Sequence, residues 1–516
     1  MEDSDRQSAV LPDALFYSGV AALVGLFFYL VLPGLGEIAY WNDEAGHTLL
    51  AQNVLHTGLP LAMYGKHSIE DFFYSKNALG VEAAHGWLSF YICAASFRLF
   101  GESQLAARLP FTIAGGLAMV ALIFAGRLLY GRAVGLLAGL LLTVNPAFLQ
   151  YCRQTRYYAL VLLFTAGTLW LHQLIKRGRA HWATLSVAAL LLFHSSQFIC
   201  GILFASLALV DVVPWVWAKH RGRPAILSPP WPKILLGCLV LIGPWVVFFS
   251  IGRSMTADLP YSLAAVAWHW QIGLRDCWVY FPYLFLLGAI PLSLAERSYF
   301  PAAVALVSLA LVAIVPEKIF APGSGFNRRY IMHMLPLGAL VAARGLALLT
   351  RWRAWAAAPL VVLVGLLPGL HAQRDIVQSF ARQFRYYRHL PQPDPEKLAM
   401  ATLRSVADRY RRVLISSGNK WQVIYVLGPN RVYDDYYTMR EPPVSSYAVV
   451  LNQVDFDNHA LDTYGRFVEG CTATIYHDRS LLRVNWAEGP EYPPAHPQMG
   501  VWECPSKMTT ATDEPG

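Results

Sequence analysis

The chain has 516 residues, of which 55% are hydrophobic and only 14% are charged. Soluble globular chains carry roughly 25% charged residues, so the composition excludes a soluble protein of this length. The formal net charge of +8 then points to basic loops on the inner side of a membrane and not to nucleic acid.

Taken in chain order, the N-terminal stretch "MEDSDRQSAVLPDALFYSGVAALVGLFFYLVLPG" has an acidic start and a long apolar core, without a small-x-small cleavage site. It predicts a spanning helix over 14–33, not a cleaved signal peptide. Further spans are expected at 105–126, 133–149, 157–175, 182–197, 198–217, 233–251, 278–295, 299–316, 331–349 and 354–370. Segment 86–100, "GWLSFYICAASFRLF", is apolar but short for a crossing. The fold expected is an α-helical polytopic membrane protein with about 11–13 transmembrane helices.

Short basic loops set the orientation. "KRGR" (Lys176 to Arg179) and "KHRGRP" (Lys219 to Pro224) mark the inside, and Arg127 to Arg132 and Arg351 to Arg353 fit the same side. Segments 34–104, 150–156, 252–277 and 317–330 then lie outside, as does everything from 371 onward. This holds if 86–100 stays in the interface.

The tail, 371–516, differs in composition. Two helices separated by a Pro-rich break are expected first. The strand-like runs "RRVLIS", "WQVIYV", "SSYAVVLN" and "TATIYHDRSLLRVNW" follow. The expected organisation is a membrane domain over 1–370, with a first outer loop at 34–104, and a small C-terminal α/β periplasmic domain over 371–516, irregular from 485. Of the seven cysteines, only Cys471 and Cys504 share the tail, so they alone could pair in an oxidising compartment.

The outer loops are unusual in their polar groups. The first supplies Asp43, Glu44, Lys76, Glu82 and His85; others supply Arg153, Arg156, His269, Arg275, Arg328 and Arg329. Basic residues are disfavoured in short outer loops, so their presence there suggests a task. Guanidinium groups pair with phosphate oxygens and can stabilise charge growing on a departing phosphate. A carboxylate beside them can deprotonate an acceptor hydroxyl or amine. The outline is group transfer from a membrane-held phosphate, with sugar transfer from a polyprenyl-phosphate donor as its natural form.

Three stretches carry a family resemblance. "YWNDEAGHTLLAQNVLHTG" (40–58) resembles the first-loop aspartate motif of the protein O-mannosyltransferase and lipid A aminoarabinose transferase superfamily. The block from Phe100 to Leu160 is similar to that superfamily's next segment, and "NRRYIMHMLPLGALVAARG" resembles its later Arg-Tyr and Leu-Pro segment. The resemblance implies a GT-C fold and a glycosyltransferase (class EC 2.4) that usually inverts the anomeric centre. Asp43 takes the place of the general base, with Glu44 beside it. Lys76, Arg153, Arg156, Arg328 and Arg329 become candidates for the donor phosphate. Tyr157, Tyr158, His269 and Arg275 become candidates for acceptor or sugar. In some members an acidic residue follows the outer-loop arginines; Tyr158 stands there in this chain, which weakens the case for a strict metal requirement. No cofactor is certain, and a divalent metal ion is the one candidate. The partners implied are a polyprenyl-phosphate-linked sugar, a glycan, lipid or protein acceptor, and membrane lipids. A monomer in a bacterial inner membrane is expected, with its site on the periplasmic or extracellular side.

Each candidate has a plainer reading. Asp43 and Glu44 suit the first turn of a helix. Arg153 and Arg156 could snorkel to headgroups. Glu82 and His85 share a face only if 80–86 is helical, where they could bind a metal or simply pair. A transporter or flippase is the rival class. It predicts ionisable groups at mid-span and repeat symmetry, whereas here midspan charge is nearly absent and Gln197 is the best such residue.

Overall fold

The computed structural model describes residues 12–36, 40, 42–64, 67–68, 77, 79–224, 226–249, 270–271, 299–314, 331–351, 404–405, 409–410, 412–415, 420–428, 432–435, 447–452, 471–477, 480–485 and 499–504. The protein is a polytopic α-helical membrane protein with a C-terminal β-sheet domain. Five described helices are long and apolar enough to cross a membrane: α1 (Asp13–Val31), α4 (Gln104–Tyr130), α7 (Tyr158–Lys176), α9 (Gln197–His220) and α10 (Trp231–Phe248). Shorter helices are α2 (Asn42–Thr57), α3 (Leu88–Phe100), α5 (Arg132–Thr143), α6 (Pro146–Cys152), α8 (Ala183–Phe193), α11 (Phe300–Ile314) and α12 (Met334–Arg351). The spans expected at 278–295 and 354–370 lie outside the described residues.

Helix α3 has 13 residues, hence a rise of about 20 Å against a hydrocarbon thickness of about 30 Å, too short to cross upright. The single span expected over 133–149 is instead two helices. The chain breaks at Val144, and the Asn145 side chain accepts a hydrogen bond from the Phe148 amide at 3.1 Å, with Pro146 opening α6. Asn as N-cap followed by Pro at the first helical position is a favoured start, so the signal was present in the sequence.

Contacts divide the chain into two compact units. One comprises residues 1–35, 83–96 and 108–386; the other 36–82, 97–107 and 387–516. In the first, α5 packs on α12, α8 on α10, and α9 on α11. Glycines permit the closest approach: a Cβ on Gly135 would meet the Ile123 carbonyl oxygen at 2.4 Å, and one on Gly126 would meet Gly135 at 2.8 Å. The end of α1 is tied down by two buried arginines. Arg153 Nη1 donates to the Val31 carbonyl at 2.7 Å, satisfying an acceptor left over at the helix C-terminus, and Arg108 Nη1 donates to the Leu35 carbonyl of the following turn at 3.0 Å.

At the opposite end of α1, Asp13 pairs with Arg127 at 3.6 Å and with Arg132 at 2.5 Å. These basic residues are the ones that charge counting put on the inner side.

In the second unit the tail forms a six-stranded mixed sheet, ordered β4-β3-β5-β8-β6-β7. Its strands are β3 (Arg412–Ile415), β4 (Val432–Asp435), β5 (Tyr447–Asn452), β6 (Thr472–His477), β7 (Ser480–Asn485) and β8 (Met499–Cys504). Two expectations are corrected here. The run "WQVIYV" is helix α13 (Lys420–Leu427), not a strand. It connects β3 to β4, which pair in parallel, and parallel neighbours need a crossover. The stretch expected to be irregular contains β8, an interior strand between β5 and β6. Cys471 and Cys504 form a disulfide at the ends of these neighbouring strands, as elimination among the cysteines allowed.

The first loop also belongs to the second unit. After α2 the chain returns as a two-stranded ribbon, β1 (Met63–Tyr64) with β2 (His67–Ser68), and as a bridge between Leu61 and Val81. Asn53 Nδ2 donates to the Leu61 and Met63 carbonyls at 2.7 and 2.6 Å, holding the return against α2.

Candidate functional site

Asp43 and Glu44 occupy the first turn of α2 and are 4% and 2% exposed. Acids in a first turn are favoured by the helix dipole, but that benefit does not require burial. Every residue from Asp43 to Ala51 is buried, including the polar His47 and Thr48. Thr48 Oγ1 donates to the Glu44 backbone carbonyl at 2.8 Å. Burying a carboxylate is costly unless it is paired, so two neighbouring buried acids make this turn a candidate site.

In the first unit the residues after α6 form a compact cluster. Arg156 is 1% exposed, and its guanidinium lies 5.4 Å from the Tyr157 ring and 5.6 Å from the Tyr158 ring. Tyr158 meets Tyr157 at 4.8 Å and Tyr151 at 5.1 Å, both edge to face. His85 reaches the same cluster, its ring 6.0 Å from Tyr157. The cluster sits at the start of α7, where Tyr157 as N-cap makes no side-chain capping bond. The positive helix end and a buried guanidinium therefore act in the same direction, toward an anion. Arg153 has a structural share through α1, as described above. Of the predicted residues, the structure brings His85, Arg156, Tyr157 and Tyr158 together. Lys76, His269, Arg275, Arg328 and Arg329 lie outside the described residues.

The helical premise for Glu82 and His85 does not hold. Glu82 lies in the β-bridge segment, its amide donating to the Pro60 carbonyl at 2.9 Å, and residues 83–87 continue as bends. Among the described residues, no three His, Cys, Asp or Glu side chains gather to hold a metal ion.

One buried network went unread in the sequence. Asp211 of α9 accepts from His172 Nε2 at 2.7 Å, Lys176 Nζ at 2.8 Å and Trp231 Nε1 at 2.9 Å. Gln173 Nε2 donates to His172 Nδ1 at 3.0 Å, and Phe300 stacks on the His172 ring at 4.8 Å. The network joins α7, α9, α10 and α11. It was missed because one Asp within "FASLALVDVVPWVW" barely lowers the hydropathy of a span. The group lies toward the basic end of α7, near "KRGR", and is the buried charge that hydropathy alone passes over.

The profile of the dolichyl-phosphate-mannose-protein mannosyltransferase family matches residues 84–248. That range includes α3 to α10 and the Arg156 cluster. No curated protein matches the chain by sequence. Among solved structures, the chain is similar to ArnT from Cupriavidus metallidurans bound to undecaprenyl phosphate, with 12% identity, 97% of this chain and 99% of that chain covered, and a TM-score of 0.53. It is similar to the archaeal oligosaccharyltransferase AglB from Archaeoglobus fulgidus in complex with an inhibitory peptide and a dolichol-phosphate, at 13% identity over 92% of this chain and 75% of that one, with a TM-score of 0.50. It is also similar to the arabinofuranosyltransferase AftD from Mycobacteria, at 15% identity over 97% and 42% of the respective chains, with a TM-score of 0.50. At such identities the structural likeness establishes the fold. The family match covers residues 84–248, about a third of the chain, and makes that stretch similar to the protein mannosyltransferase family.

Proposed function

We propose that this protein transfers a sugar from a polyprenyl-phosphate-linked donor to a glycan, lipid or protein acceptor at the outer face of the membrane, with inversion. The observation that carries the reading is the buried acid pair, Asp43 and Glu44, in the first turn of a polar helix. Asp43 takes the proton of an acceptor hydroxyl or amine as that atom attacks the anomeric carbon. The bond to the phosphate oxygen breaks, and polyprenyl phosphate leaves with the electron pair. Arg156, buried and flanked by Tyr157 and Tyr158, stabilises the developing phosphate charge. Arg328, Arg329 and Lys76 are proposed to join it there. Glu44 supports Asp43. Tyr157, Tyr158, His269 and Arg275 are proposed to contact sugar or acceptor.

The solved ArnT structure contains undecaprenyl phosphate and the AglB structure a dolichol-phosphate, which supports the same class of donor here. Residues 1–370 are proposed as the catalytic membrane domain. The Cys471–Cys504 disulfide supports an oxidising, extracytoplasmic setting for the tail, in keeping with the positive-inside assignment.

The test is direct. Purified protein in nanodiscs, given a panel of polyprenyl-phosphate sugars and acceptors, should release polyprenyl phosphate. No release across the panel, together with movement of the lipid-linked sugar between leaflets of proteoliposomes, would establish the flippase reading in its place.

A further inference from the structure

We propose that Tyr425, on the crossover helix of the tail sheet, is a positioning residue that sets Asp43 and Glu44 through Tyr40, a role that rests on the transferase reading above. The first loop and the tail form one compact unit, and within it α13 packs on α2. The Tyr40 and Tyr425 rings meet edge to face, with centroids 5.0 Å apart and planes at 81°. Tyr40 is 2% exposed and stands three residues before Asp43. Its hydroxyl donates to the Ser103 carbonyl at 3.4 Å. The residue leading into the acid-bearing turn is thus held on one side by the tail and on the other by the loop before α4.

This anchoring matters because of what α2 lacks. A helix is ordinarily seated by an apolar stripe. The buried part of α2 mixes Asp43, Glu44, His47 and Thr48 with Ala45, Leu49, Leu50 and Ala51, so its apolar seating begins largely after the acid-bearing first turn. Its entry angle then depends on its flank, as in a staple that fixes a helix start through the residue before it. Tyr425 is well placed to supply that flank. The helix that carries it spans β3 and β4, and its Val423 and Ile424 are fully buried, so Tyr425 projects from a rigid base. A half-buried tyrosine on a covalently distant helix therefore controls where a buried carboxylate sits. Small errors of position are expensive for a general base, since a misplacement of about 1 Å can lower turnover about 100-fold.

The experiment uses the full-length protein in detergent as wild type, Tyr425→Ala, Tyr425→Leu and Tyr425→Phe. Hydrogen–deuterium exchange is read over 42–57, with α4 and α7 as internal controls. Tyr425→Ala should speed exchange at the start of α2 by about 2- to 10-fold, the range corresponding to loss of one aromatic pair, while Tyr425→Phe stays at the wild-type rate. If Tyr425→Ala also loosens α4 and α7, the milder Tyr425→Leu decides by the same criterion. Turnover with saturating polyprenyl-phosphate sugar should fall about 10- to 100-fold in Tyr425→Ala with donor KM unchanged, and Tyr425→Phe should retain it. Wild-type exchange at α2 in Tyr425→Ala, or equal losses in Tyr425→Phe and Tyr425→Ala, would overturn the proposal. A wild-type protein that turns over no donor would defeat the transferase reading alone, and the exchange data would still decide whether Tyr425 holds α2.

Discussion

Replacing Asp211 by alanine should destabilise the membrane domain by about 3 kcal/mol, a magnitude that follows from its partners. The carboxylate is 4% exposed and takes hydrogen bonds from His172, Lys176 and Trp231. Without it, the His172 Nε2–H and the indole N–H of the buried Trp231 lose their acceptor, and each orphaned donor costs about 1–3 kcal/mol. Lys176 is 35% exposed and can turn its ammonium toward headgroups, so its loss adds little. The sum of about 2–6 kcal/mol overlaps the range of about 3–5 kcal/mol for breaking one side of a buried pair. Within a bilayer the unfolded helices also find partners, which pulls the figure toward the lower end. Asp211→Asn keeps one acceptor oxygen and should lose about half as much. Reversible unfolding in mixed micelles, titrated with a denaturing detergent, measures the difference. An Asp211→Ala protein within about 0.5 kcal/mol of wild type would refute the view that this network clamps α7, α9 and α10.

Three further outcomes are expected. Asp43→Asn should lower turnover by about 100-fold or more while donor binding stays near wild type, and full activity in that variant would sink the general-base assignment. Arg156→Ala should weaken binding of a polyprenyl-phosphate donor by at least about 10-fold, and Arg156→Lys should recover little of it, because a point charge replaces neither the planar fork nor its stacking on Tyr157 and Tyr158. Donor binding measured with a labelled lipid phosphate checks both substitutions. Replacing Cys471 and Cys504 by serine should destabilise the sheet by about 4 kcal/mol, from a closed loop of 33 residues. Limited proteolysis of the tail would detect this, and an unchanged cleavage rate would contradict it.

Composition and charge spacing were enough to read the membrane class, whereas the choice of Asp43 rests on the resemblance of residues 40–58. Those signals are local or additive: an apolar run is visible in a window, and a basic loop is visible in the run it interrupts. The Asn145–Pro146 break was equally local and could have been read from its capping chemistry. Other features depended on pairings between distant parts of the chain. "WQVIYV" has the composition of a strand, yet it is a helix because β3 and β4 lie parallel and need a crossover between them. Met499–Cys504 looks irregular by composition, yet it is an interior strand because β5 and β6 flank it. Asp211 is hidden among valines and leucines, and its meaning comes from His172, Lys176 and Trp231 on other helices. Tyr40 and Tyr425 meet although about three quarters of the chain separates them. Hydropathy and spacing describe what each segment prefers alone, whereas the seating of the Asp43 helix depends on which distant segment packs against it.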